Sequence, residues 1–187
     1  MLKEHFDFSG YKKFEKTMSV DKATNLALFL LSPLAVFCFV LYSSVWKIFN
    51  NISWVSISLC ILYIAVLTFS HELTHGAVLK RFCEDKRSSI KYGIKSFVPY
   101  CHCKEILSVA EYRTVCAMPL LVTGIFPFII ALLTGHNPLA WASFLSVLGA
   151  GGDYAILLML IREKRTAFVE DHPALIGCIV YRPNENK

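Results

Sequence analysis

Four long apolar stretches dominate the chain, and each is bounded by polar or charged residues. They run from about Ala23 to Trp46, Ile52 to Leu79, Glu111 to Leu133, and Leu139 to Ile161. At a rise of ~1.5 Å per residue, each is long enough to cross a hydrocarbon core of ~30 Å. The pattern predicts an all-α membrane protein, a four-span helical bundle. Pro33 falls inside the first stretch, and Pro119 and Pro127 inside the third. Membrane helices tolerate proline where neighbours satisfy the freed carbonyl.

The polar connections differ in length. Lys47-Ile48-Phe49-Asn50-Asn51 and Thr134-Gly135-His136-Asn137-Pro138 are short turns, whereas residues 81–107 form the longest connection. Within it Ile90, Tyr92 and Ile94 alternate with Lys91, Gly93 and Lys95, the period of a strand, and Phe97-Val98-Pro99-Tyr100 follows. A short β-hairpin against the membrane face is therefore expected between spans two and three. Ser108-Val109-Ala110-Glu111 has the spacing of a capping box and opens the third span. The chain thus divides into an N-terminal segment, 1–22, a four-span domain, 23–165, and a tail, 166–187.

Composition supports this division. Hydrophobic residues make up 55% of the chain and mean hydropathy is +0.51, more apolar than an ordinary soluble domain. The charged residues gather in the first 22 positions, between Lys80 and Arg113, and after Arg162. The net charge of +5 flanks apolar runs and is not interleaved with stacking aromatics. It therefore speaks for orientation in a membrane and against a nucleic-acid partner. By the positive-inside rule the N-terminal segment, the long connection and the tail are cytoplasmic, which makes the chain a multi-pass protein of the cell membrane with both termini inside. The seven cysteines are odd in number and several lie in apolar runs, which argues against a secreted disulfide framework. No apolar core precedes Ala23, so the first run is expected to stay as a span.

Chemistry enters with His71-Glu72-Leu73-Thr74-His75, in the last third of the second span. On a helix, positions i and i+4 share a face, so both histidines can address one metal ion, with Glu72 beside them as acid and base. Two imidazoles, a carboxylate and an open position suit Zn2+. Ionisable groups at membrane depth cost ~2.5–3.5 kcal/mol each on insertion scales, and a metal ion offsets that cost. A third ligand is expected from another span at similar depth. His71 to His75 lie ~25–32 Å along the helix from Trp54, and Asp153 lies ~22 Å from Pro138 by the same rise. Asp153 follows Gly149-Ala150-Gly151-Gly152, where small residues permit close approach or a bend. It reads as a metal ligand or, alternatively, as the cap of a second half-helix. Cys101-His102-Cys103 offers soft ligands but lacks zinc-finger spacing, so a structural role is favoured over a second metal site. His5 and His136 read as solvated, and Asp171-His172-Pro173 as a turn or cap.

Taken together these segments resemble the membrane family called "putative zincin peptidase", a domain of unknown function. The resemblance rests on His71 to Gly76, Cys101 to Glu105, Met118-Pro119 through Ile125-Phe126-Pro127, Gly151 to Asp153, and Asp171 to Pro173, and covers roughly residues 60–180. More distantly the layout is similar to site-2 protease-like intramembrane metalloproteases, although here the glycines precede Asp153 where that group has them follow. The resemblance implies a membrane-embedded, zinc-dependent metalloprotease acting on peptide or protein substrates beside membrane lipid. The implied roles are Glu72 catalytic and His71, His75 and Asp153 metal-binding. The residues alone also admit a non-catalytic metal-binding membrane regulator or a small ion transporter.

Overall fold

The computed structural model describes residues 6–49, 52–86, 88–95, 98–173 and 175–184. His5, the Asn50-Asn51 part of the first turn and Phe97 lie outside the described residues. Among the described residues, four helical segments are long and apolar enough to cross a membrane, at Asp21–Val45, Trp54–Phe82, Val109–Thr134 and Asn137–Leu160. They correspond to the four stretches read from hydropathy.

Helix α1, Val20–Val45, starts at Ser19, whose side chain accepts from the Lys22 amide. Helix α2, Trp54–Phe82, starts at Ser53, whose hydroxyl accepts from the Ser56 amide, and ends with Lys80 and Arg81 in its last turn. Both ends follow ordinary capping chemistry. The third span begins as α3, Val109–Pro119, with the expected reciprocal capping box between Ser108 and Glu111. It continues as a π-helical segment, Leu120–Ile125, and finishes as α4, Phe126–Thr134. The wide turn falls between the two prolines, where the α-helical ladder loses donors. The fourth span is also divided. Helix α5, Asn137–Gly149, stops at Ala150, and α6, Gly151–Leu160, restarts the chain. A Cβ on Gly151 would lie 2.1 Å from the Ala27 Cβ, so only glycine permits the close crossing of α1 and α6.

The all-α expectation needs correction. Besides the predicted hairpin, β2 (Ile90–Lys95) against β3 (Val98–Cys103), a second sheet is present. It joins β1 (Tyr11–Met18), β4 (Leu107–Ser108), β5 (Phe168–Asp171) and β6 (Ile176–Pro183) in the order β1-β6-β5-β4, all antiparallel. The N-terminal segment and the tail therefore pair with each other, Tyr11 opposite Pro183 and Met18 opposite Ile176. Phe6, Tyr11, Phe168 and Tyr181 cluster with Ile106 and Ile179 on this sheet. A larger core joins it to the bundle, with Leu79, Val109, Tyr112 and Val115 from the helices meeting Val169, Cys178 and Val180 from the strands.

Ion pairs fasten the sheet to α6. Glu163 has its side chain only 4% exposed, receives two hydrogen bonds of 2.8 Å from Arg182 and sits 2.5 Å from Lys16. Lys16 and Arg113 also donate to the Met159 and Leu160 carbonyls, so cations cap the C-terminus of α6.

Candidate metal centre

His71 and His75 stand one turn apart on the inner face of α2, their rings 5.0 Å apart and nearly perpendicular. Asp153, in the first turn of α6, faces both: its two oxygens lie 3.0 Å from His71 Nε2 and 3.2 Å from His75 Nε2. One ligand atom from each of the three residues lies within 4.8 Å of the others. A tetrahedral zinc with bonds of ~2.0–2.1 Å holds its ligand atoms ~3.3 Å apart, so the donor set has the right chemistry and nearly the right spacing. The alternative reading of Asp153 as the cap of a second half-helix has its break, at Ala150, but Asp153 lies within the first turn of α6 with its carboxylate facing the two histidines. The break at Ala150 instead lets a carboxylate turn toward α2.

The orientation of His75 traces to a proline. In an α-helix the Val115 carbonyl would bond the amide four residues on, but position 119 is proline and has no N–H. The freed carbonyl lies 3.1 Å from His75 Nδ1. A carbonyl only accepts, so Nδ1 carries the proton and Nε2 presents its lone pair toward Asp153 and the space between them. The hairpin is seated on the same helix turn. A Cβ on Gly76 would meet the Tyr92 hydroxyl at 1.6 Å, so glycine directly after the motif makes room for Tyr92 of β2.

These residues open into a cavity of about 460 Å³ lined by His71, Glu72, His75, Asp153, the run Tyr100 to Cys103, and Asp171, His172, Leu175, Ile176 and Gly177. Glu72 also borders an apolar recess of about 260 Å³ between α2 and α5, beside Thr68, Pro99 and Leu145. Its carboxyl faces the Cys101 amide. Consecutive lining by Tyr100 to Cys103 means that the edge of β3 not paired with β2 borders the cavity.

The Cys-His-Cys stretch does not form a second metal group. Among the described residues, the one cluster of three suitable ligands is His71, His75 and Asp153. Cys103 Sγ lies 3.4 Å from Cys83 Sγ, both buried. Burial and the Glu72 carboxylate push the Cys101 thiol up to about 12, so it stays protonated at neutral pH and is a poor ligand. His102 points elsewhere: its Nδ1 is 3.1 Å from Asp171 Oδ2. Asp171 also accepts from the Cys103 amide at 2.8 Å and from the Tyr112 hydroxyl. The hydrogen bond between His102 and Asp171 raises the His102 pKa against the opposing effect of burial. Asp171, read from sequence as a turn or cap, is thus the hub of a part-buried polar cluster, and Tyr112 was not singled out at all. The Asp-His-Pro triplet was the available signal. Glu105 completes the stretch: its carboxylate accepts from the Glu84 and Asp85 amides at 3.0 Å each and closes the turn after α2. His136, expected to be solvated, is half-buried with Nε2 3.2 Å from the Tyr63 hydroxyl.

No curated protein and no solved structure matches the chain. A family model does, over residues 64–168, an interval running from the motif helix through Asp153 to the start of β5. The chain belongs to that family, DUF3267, described as "Putative zincin peptidase".

Proposed function

We propose that this protein is a membrane-embedded zinc metallopeptidase that hydrolyses peptide bonds of membrane or membrane-proximal proteins. The observation that carries the reading is the convergence of His71, His75 and Asp153 ligand atoms within 4.8 Å, with Glu72 on the wall of the same cavity. Two imidazoles and one carboxylate would hold the zinc and leave a position open for water or substrate. Zinc at such a site supplies a Lewis acid that polarises a carbonyl and makes water a competent nucleophile near neutral pH. Glu72 would accept a proton from the attacking water and hand it to the leaving amine. The Val115 carbonyl holds His75 in the tautomer that ligation needs. The cavity-side edge of β3 has its Cys101 and Cys103 amides turned to Glu72 and Asp171 and a proline at position 99, so it would offer an extended peptide carbonyl acceptors only, beside Glu72.

Membrane embedding is supported by where the apolar surface lies. In the most apolar window of α2 only 6% of the residues are buried, and Trp54, Val55, Ile61, Phe69 and Leu73 are exposed on it. So large an exposed apolar surface calls for lipid around it. Pairing of β1 with β6, and the contact of Cys103 with Asp171, gather the N-terminal segment, the hairpin and the tail at one end of the bundle. The N-terminal segment and the hairpin connection carry clustered lysines and arginines, and Arg162, Lys164 and Arg165 stand just before the tail, as on the cytoplasmic side of a membrane. The reading therefore has the cell membrane as location and both termini in the cytoplasm.

Glu72→Gln tests the catalytic part. In detergent or bilayers the variant is expected to keep its zinc and lose hydrolysis by ~10²–10⁴-fold. Undiminished hydrolysis in this variant would remove Glu72 from the chemistry.

A further inference from the structure

The cavity has a second polar wall that the chemistry above does not use. His102 lines it with a third of its side chain exposed. The ring is anchored through Nδ1 to Asp171, and Asp171 is itself fixed by two further donors, the Cys103 amide and the Tyr112 hydroxyl. Three donors on one carboxylate set its plane, and the carboxylate sets the plane of the imidazole. With Nδ1–H donated to Asp171, Nε2 is the remaining polar atom of the ring; it carries a proton in the imidazolium form, which the Asp171 carboxylate favours, and among the described residues no group takes it. Pinning the hairpin to β5 does not require an open ring nitrogen in a cavity, because the Cys103 amide already makes that link to Asp171.

A peptide entering the cleft brings carbonyl oxygens that need donors. Several groups along the cleft cannot supply them: Glu72, Asp153 and Asp171 present carboxylates, position 99 is a proline without an N–H, and the Cys101 and Cys103 amides face Glu72 and Asp171. We propose that His102 is a substrate-binding residue, donating Nε2–H to a carbonyl oxygen of a peptide in the cleft, with Asp171 as its positioning residue. The proposal rests on the metallopeptidase reading and adds to it a contact that senses the substrate backbone away from the metal.

The test is steady-state hydrolysis of a mixture of quenched-fluorescent peptides by the zinc-loaded full chain, with zinc content and thermal midpoint measured beside it. His102→Ala is expected to raise KM ~10-fold or more, the loss of a charge-assisted hydrogen bond, with kcat within a few-fold of wild type and zinc unchanged. His102→Gln keeps a side-chain N–H and should recover part of that loss. Asp171→Asn keeps an acceptor for the Cys103 amide but misorients the ring, so KM should rise in the same direction. A wild-type KM in His102→Ala would overturn the proposal alone. Equal KM increases in His102→Ala and His102→Gln, with lowered thermal midpoints in both, would also overturn it by assigning the pair to structure. Zinc-loaded wild type that cleaves none of the peptides would overturn the metallopeptidase reading and this proposal with it.

Discussion

At the scale of single residues, the candidate metal centre depends on groups besides His71, His75 and Asp153. Pro119 frees the Val115 carbonyl, and that carbonyl holds the His75 ring. Pro119→Ala supplies an amide that competes for the carbonyl from within α3. Zinc affinity is expected to fall about tenfold, the usual cost of losing a partner behind a metal ligand, as read by competition with a fluorescent chelator. The sequence showed the motif and both prolines but not this link, because His75 and Val115 are 40 positions apart and a freed carbonyl leaves no mark in hydropathy. Asp153 was legible because a carboxylate in an apolar run is conspicuous. Asp171 was less so, since an Asp-His-Pro triplet in a polar tail has the look of an ordinary turn.

At the scale of elements, the helices were readable and most of the strands were not. Capping at Ser108 and the lengths of the spans follow from local pattern. Strand β1 is exposed along most of its length, so it shows no alternation, while β6 is buried over five consecutive positions and reads as a plain apolar run. Their pairing joins the two ends of the chain, and no local period encodes it. The junction of β1, β6 and α6 is testable through Glu163. Arg182 and Lys16 hold its carboxyl at about 2 against an ordinary 4.5, with burial opposing them. A depressed pKa contributes stability above the unfolded value and loses it as pH falls, so the contribution should be full above about pH 4.5 and fade toward about pH 2. Glu163→Gln is expected to cost about 2 kcal/mol at neutral pH, and less as the medium is acidified. Thermal melts of both proteins across that range check it: a gap that persists undiminished at the acid end would contradict the assignment.

At the scale of the whole molecule, two broken helices and two small sheets converge on one end of a four-helix bundle. Breaks and sheets have complementary effects. The break at Ala150 aims Asp153 at the motif helix, and the sheets bring the hairpin and the tail over the opening. The long apolar helices position His71, His75 and Asp153 while the polar end shapes the cleft, which suits chemistry that needs water beside an apolar bundle. The sequence foretold the bundle and the meeting of His71, His75 and Asp153 because both are written in hydropathy and spacing. The cleft was hidden, since it is made by contacts such as His102 with Asp171, 69 positions apart in the numbering. The central claim is that His71, His75 and Asp153 form a zinc site. The most direct measurement is the zinc content of the protein purified without chelators, beside His75→Ala and Asp153→Ala. The account predicts about one zinc per wild-type chain and a large loss in both variants; wild type without zinc, or variants that retain it fully, would contradict it.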